Sequence, residues 1–297
     1  MTPNDYLSQI LKSQQLKSDG DDLAALQSAR ADVEDALRAG FPDCAPSIRY
    51  GGSKAKGTMI LDDYDLDVIC YFPHDDTSAG GSLEDIYNNV RSCFEKDYAI
   101  HPRTTALRLH DKDGGDFHID VVPGRFTDTT KTDAYLHQNG GSKKFLKTNI
   151  QTHIDHVSKS GCTDIIQLMK LWRLRNGVSI RTFPMELLVI EVLKDTKAQG
   201  LEGRLTELLL EVRDNIDDYS IEDPGNPTGN DLSELLNDTV RASLSAGAWS
   251  TLQTVETSGW EAVFGAVETT AKVHKVAALS AAAVHAPSPT RPWSIAL

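Results

Sequence analysis

Two aspartates one residue apart, set against an apolar run, constrain this chain more than any other feature. The stretch opens with Tyr50-Gly51-Gly52-Ser53, and after eleven intervening residues it reaches Asp65-Leu66-Asp67. Val68-Ile69-Cys70-Tyr71-Phe72 follows, and its β-branched and aromatic content reads as a strand. Strand side chains alternate between faces, so Asp65 and Asp67 share one face while Leu66 and Val68 enter a core. Such a strand belongs in a sheet whose edge or mouth offers both carboxylates to a ligand.

Two carboxylates that close repel each other unless a cation neutralises them, and hard oxygen ligands on a short rigid spacing suit Mg2+. The Gly51-Gly52-Ser53 turn leaves backbone N–H groups open to an anion. Lys54 and Lys56 read either as added charge beside that anion or as exposed loop lysines. A phosphate cradle next to a metal-binding strand suits a nucleoside triphosphate. Further on, runs at 104–110 and 117–123 read as strands joined by the acidic turn 111–116, a hairpin signal. That turn is superficially like a calcium loop, but Gly115 and Asp116 stand where the EF-hand pattern wants a ligand and a glycine, so a solvated turn is expected. The second strand carries Asp120 among apolar neighbours, with His118 on the same face; His118 reads as tuning Asp120 or as packing on the sheet, with packing favoured. If the strands adjoin, Asp65, Asp67 and Asp120 meet as ligands for two Mg2+ (or Mn2+) ions, the arrangement for in-line phosphoryl transfer. The competing reading is a set of surface aspartates, to which Asp62 and Asp63 are assigned.

Composition narrows the classes. With 40% hydrophobic and 25% charged residues over 297 positions, the chain reads as globular, of one or two domains. The formal net charge of −13 argues against a long nucleic acid as partner, because phosphate contacts call for a basic surface. No run is long and apolar enough to span a bilayer, and the first residues lack a signal peptide's pattern. Cys44, Cys70, Cys93 and Cys162 lack zinc-site spacing and read as packed free thiols, which implies a cytoplasmic location.

Helical periodicity covers 4–40, with Asp19-Gly20-Asp21-Asp22 as a break or cap. Ser82 reads as the N-cap of a helix over 82–96. Further helices are expected over 164–175, 184–197, 201–216, 231–244 and 258–285, with a turn-rich loop at 223–230. His153, Asp155 and His156 have near metal-ligand spacing, but an exposed helix face explains them. Trp172, Trp260, Tyr71 and Phe72 read as core.

Gly52-Ser53, Asp65-x-Asp67 and the later Asp120 resemble the signature of the DNA polymerase β nucleotidyltransferase superfamily. Leu168-Met169-Lys170-Leu171-Trp172, Phe183-Pro184-Met185-Glu186-Leu187-Leu188 and Asp223-Pro224-x-x-Pro227 are similar to oligoadenylate synthetase and the cGAS/DncV-like nucleotidyltransferases (CD-NTases) of bacterial anti-phage signalling systems. The resemblance runs over about 50–231. It implies an α+β, bilobal polymerase β-like fold, a mixed sheet with helices plus a helical second lobe. The expected division is 1–158 for the N-terminal helix and catalytic lobe, 159–285 for the helical lobe, and 286–297 for a flexible tail. It implies that Gly52 and Ser53 hold the donor triphosphate, that Lys56, Lys170 and Thr182 contact phosphates, and that Asp65, Asp67 and Asp120 ligate two metal ions. Phe145 to Asn149 with His153 is similar to a Trp-containing segment ending Asn-Pro, with Phe145 in place of the Trp and Ile150 in place of the proline. The implied activity joins nucleoside triphosphates (ATP, with GTP, UTP or CTP) into a cyclic di- or oligonucleotide, with regulatory or effector proteins as further partners. Two alternatives stand beside it: nucleotide addition to an RNA end or a protein, and a non-catalytic nucleotide sensor.

Overall fold

The first helix, α1 (Pro3–Ser13), starts where Thr2 and Asp5 cap each other's backbone N–H groups in a capping box. The structure, a computed structural model, describes residues 1–16, 20–112, 117–140, 143–230 and 232–267. The tip of the acidic turn at 113–116, the expected helix beyond 267 and the tail at 286–297 lie outside these. After α1 come α2 (Asp21–Gly40), β1 (Ser47–Tyr50), a one-turn helix α3 (Gly52–Lys56) and β2 (Leu66–Phe72). Next are α4 (Leu83–Ser92), β3 (Tyr98–Pro102), β4 (Leu107–Asp111), β5 (His118–Phe126), β6 (Ala134–His137) and β7 (Phe145–Thr148). The chain continues through α5 (Ile150–Ser158), α6 (Thr163–Arg175), α7 (Thr182–Leu193), α8 (Gly200–Asn215), α9 (Asp238–Ser258) and α10 (Trp260–Phe264). This is an α+β protein.

Two compact units share these elements. One takes 16–55 and 64–151 and holds a seven-stranded sheet. The strand order is β1-β2-β5-β4-β3, with β6 paired to both β5 and β7. Only β2 and β5 pair in parallel among these strands, and the crossover that a parallel pair needs is supplied by α4, β3 and β4. From Val68 to Phe72 every residue of β2 is buried, as expected of a strand covered on both faces. Leu66, Val68, Leu107, Leu109, Ile119 and Val121 are all buried too, and they leave the alternate residues of three adjacent strands to the opposite face. Ser82 and Asp85 form the capping box of α4, as the sequence suggested for Ser82.

The other unit takes 1–15, 56–63 and the described chain from Thr152 onward. Its core is built from α1 and α6 to α10, with Trp172, Ile165, Leu209 and Leu244 fully buried. Helix α9 corrects an expectation: it runs on to Ser258 rather than ending near Leu244. Gly247 sits inside this helix, closely packed. A Cβ there would lie 2.9 Å from Val178 Cγ2 and 3.2 Å from Trp172 Cζ2. The four-residue strands β1, β6 and β7 are too short for period-two alternation to be read from sequence. The cysteines are free thiols, buried except for the half-buried Cys93. No helix among the described residues is long and apolar enough to cross a membrane.

Candidate active site

Register decides what the aspartates do. Parallel pairing of β2 with β5 sets Leu66 opposite Ile119 and Asp67 opposite Asp120. With the apolar partners turned to one face, Asp67 and Asp120 emerge side by side on the other. Asp65, just ahead of β2, and His118, the first residue of β5, continue that face. His118 Nε2 lies 3.5 Å from Asp65 Oδ2 and 3.9 Å from Asp120 Oδ2. One ligand atom from each of Asp65, His118 and Asp120 falls within 4.8 Å of the others. His118 is therefore more than a packing residue. Its Nε2 is buried and makes no hydrogen bond, so it faces the two carboxylates with its bonding capacity unspent. Paired carboxylates fit a small divalent cation of the Mg2+ or Mn2+ kind, with the imidazole as the softer ligand beside them.

Gly52 stands against this cluster. Its φ is +63°, and a Cβ built on it would lie 1.6 Å from Asp67 Oδ2. Only glycine lets the backbone come so close to that carboxylate. The expected Gly-Gly-Ser turn is thus the tight entry to α3. Gly51 N donates to the Asp67 carbonyl at 3.1 Å, which ties this entry to β2. Ser53 is buried, and its Oγ has no hydrogen-bond partner, an unusual state for a hydroxyl and one that a phosphate oxygen would relieve.

Antiparallel pairing with β4 adds a cation that sequence reading missed. Arg108 lies opposite Asp120, and Nε and Nη2 donate to Oδ1 at 2.8 Å and Oδ2 at 2.6 Å. The fork geometry is the strong, bidentate form of the Arg–carboxylate pair. Asp120, then against it burial, and then the charges of Asp65 and Asp67 hold the Arg108 guanidinium above its ordinary pKa. A signal was present in the sequence, since the expected hairpin brings residue 108 across from 120. On the same face His101, His110 and His118 line up across β3, β4 and β5, with ring centroids 5.0 and 5.6 Å apart. Burial first, and then the neighbouring histidines, hold His110 below the usual imidazole pKa.

Lys56, Lys170 and Thr182 belong to the helical unit and have partners there. Lys56 Nζ pairs with Glu186 Oε2 at 2.7 Å, and Thr58 Oγ1 donates to Glu186 Oε1 at 2.9 Å. Lys170 is only 2% exposed and donates to the Thr58 carbonyl at 3.2 Å. Of the two loop lysines, Lys54 is exposed and Lys56 is not. Thr182 Oγ1 accepts from Arg173 Nη1 at 3.0 Å. Asp62 and Asp63, read from sequence as surface aspartates, are partly exposed and ion-paired to Arg175 at 2.9 Å and Arg173 at 3.0 Å. Among the described residues His153 belongs to no metal-ligand group, and it is turned towards Asp223 rather than lying on an exposed helix face. Its Nε2 lies 2.5 Å from Asp223 Oδ1, and Asp223 also accepts from Asn230 and from Gly225 N. Burial opposes the Asp223 charge, but the bonds from His153 and Asn230 outweigh it and hold the carboxyl below its usual pKa. The Asp-Pro-x-x-Pro loop is thereby pinned at its aspartate.

No family model and no curated protein matches this chain. Among solved structures it is similar to Escherichia coli MS115-1 CdnC in complex with HORMA-deltaN, with TM-score 0.65 and 19% identity over 90% of this chain and 98% of that one. It is also similar to the Bradyrhizobium diazoefficiens CD-NTase CdnG in complex with GTP, with TM-score 0.67 and 14% identity over 89% and 96%. Vibrio cholerae DncV cyclic AMP-GMP synthase in complex with the linear intermediate 5′ pppA(3′,5′)pG matches with TM-score 0.60 and 14% identity over 90% and 86%. These likenesses establish the fold, the polymerase β-like CD-NTase fold that the sequence motifs resemble.

Proposed function

We propose that this chain is a metal-dependent nucleotidyltransferase that joins nucleoside triphosphates into a cyclic di- or oligonucleotide messenger and releases pyrophosphate. The observation that carries the reading is the β2–β5 register, which sets Asp67 beside Asp120 and leaves Asp65 within ligand reach of Asp120. In the reaction a ribose hydroxyl oxygen of one nucleotide attacks the α-phosphorus of another. A new P–O ester bond forms, the bond to the bridging β-phosphate oxygen breaks, and the hydroxyl gives up its proton. Asp65, Asp67 and Asp120, with His118, would hold two divalent ions, which supply acidification of the attacking hydroxyl and charge neutralisation on the triphosphate. Gly52 lends backbone room and Ser53 Oγ a hydrogen bond for the donor phosphates. Lys170 and Thr182 stay in the proposal as phosphate contacts on the strength of the motif resemblance alone, and Lys56 on its charge beside the Gly-Gly-Ser turn. The DncV neighbour holds a linear intermediate, which supports a course of two successive transfers here as well. The CdnC neighbour is in complex with HORMA-deltaN, which supports a regulatory protein partner for this chain. A cytoplasmic role in anti-phage defence completes the reading.

The test is direct. The protein is incubated with the four ribonucleoside triphosphates and Mg2+ or Mn2+, unreacted phosphate esters are removed with phosphatase, and the remainder is identified by mass spectrometry. A phosphatase-resistant cyclic product is expected from wild type and none from the Asp65→Ala, Asp67→Ala double variant. Radiolabel on a macromolecule instead would identify a transferase to RNA or protein, and tight nucleotide binding without turnover would identify a sensor.

A further inference from the structure

The bidentate grip of Arg108 on Asp120 comes in addition to the backbone ladder that pairs β4 with β5. It places a permanent positive charge where a cation is to bind. Asp120 has about four lone-pair positions, and the two donated bonds from Arg108 occupy two of them. The pairing does not draw Asp120 away from its neighbours, since its oxygen stays within 4.8 Å of ligand atoms on Asp65 and His118. The Asp120 side chain is 14% exposed and that of Arg108 25%, so water screens the pair only in part.

Resting on the reading of this cluster as a cation site, we propose that Arg108 is its resident counter-ion. It holds Asp120 in the ligating orientation before an ion arrives, and its charge limits how tightly the ion is then held. Two effects oppose each other when Arg108 is replaced. Freeing Asp120 costs the orientation of one short side chain, while removing the guanidinium lifts a like-charge repulsion against a doubly charged ion sharing the same carboxylate. At a few ångströms and an effective dielectric near 20, the second effect is the larger. In the absence of an ion the charge of Arg108 offsets the mutual repulsion of Asp65, Asp67 and Asp120, which keeps the clustered carboxylates compatible with the fold.

Mn2+ binding to the intact protein without nucleotide, followed by calorimetry and electron paramagnetic resonance, tests this apart from activity. Arg108→Met is expected to bind Mn2+ roughly tenfold or more tightly than wild type. Arg108→Lys, which keeps the charge and loses the fork, should stay within about threefold of wild type on the same reasoning. The metal-free melting temperature of Arg108→Met should fall, and Mn2+ should raise it by more than it raises that of wild type. If Arg108→Met does not fold, Arg108→Gln takes its place with the same expectation. Unchanged or weaker Mn2+ binding on loss of the charge would overturn the counter-ion role and leave the site reading intact. Equal, negligible binding by wild type and Asp120→Asn would remove the cation site itself, and this inference with it.

Discussion

Replacing Gly52 by alanine tests the site through the smallest possible change. The added methyl meets Asp67 at three atoms, Oδ2 at 1.6 Å, Cγ at 2.5 Å and Cβ at 3.0 Å. Rotation about χ1 can move the carboxylate away, but the contact with Cβ remains tight. The φ of +63° adds a left-handed penalty of about 1–2 kcal/mol for an L side chain. An off-rotamer Asp67 adds about 0.5–1.5 kcal/mol. The sum, about 1.5–3.5 kcal/mol, corresponds to a melting temperature roughly 3–14 °C lower for a domain of this size. Activity should suffer more than stability, since displacing one ligand by about an ångström costs on the order of 10²-fold in rate. Gly57 supplies the control, because its φ is +74° and nothing lies within 4 Å of a Cβ built there. Gly57→Ala should bear the backbone penalty alone and keep its rate of product formation. Initial rates of pyrophosphate release and thermal melts of both variants decide the matter. If Gly52→Ala and Gly57→Ala lose the same small fraction of activity, the close approach of backbone and carboxylate has no catalytic meaning and the reasoning fails.

Glu186→Gln leaves Lys56 buried without its counter-charge, and chemical denaturation should show a loss of about 3–5 kcal/mol. Much of that loss should return in a double variant that also replaces Lys56 by Met. Trp172→Phe removes the 2.8 Å hydrogen bond from Nε1 to Thr251 Oγ1 and should cost about 1–3 kcal/mol by the same assay. The bonds from His153 and Asn230 hold the Asp223 carboxyl below the ordinary carboxylate range, so the stability it gains from them is complete above that range and is lost as pH falls through the folded-state value. The stability gap between wild type and Asp223→Asn should be constant near neutrality and shrink below about pH 4. A gap that widens in acid would reverse the assigned sign.

Local chemistry in the sequence carried the strand at Asp65-Leu66-Asp67, the cap at Ser82 and the hairpin ahead of Asp120, because each is written in neighbouring residues. Partnership across long separations was not written there. Asp62 and Asp63 read as surface aspartates, and nothing beside them tells of their pairing with Arg175 and Arg173 of α6, more than a hundred residues away. Lys56 and Lys170, read as phosphate contacts, gave no hint of the Glu186 and Thr58 carbonyl partners that the fold places beside them. The run of α9 past Leu244 was likewise not legible, since Gly247 lies there against Trp172 and Val178, residues distant in sequence. Arg108 and His118 were within reach of a register argument, since both sit on strands the alternation had identified. Their roles stayed hidden because hydrophobic alternation weighs apolar positions and passes over what polar ones face.

The stretch 56–63 has a practical consequence for dissecting this molecule. It is part of the helical unit, although the residues on either side of it in the chain belong to the sheet unit. A fragment cut at residue 152 would contain Glu186, which is 0% exposed, but neither Lys56 nor Thr58 to satisfy it. The same fragment would strip Arg173 and Arg175 of their aspartates. Chimaeras that exchange the helical half between relatives must therefore transplant this octapeptide along with it. Grafts joined at a single splice point inherit an orphaned carboxylate at the heart of their bundle.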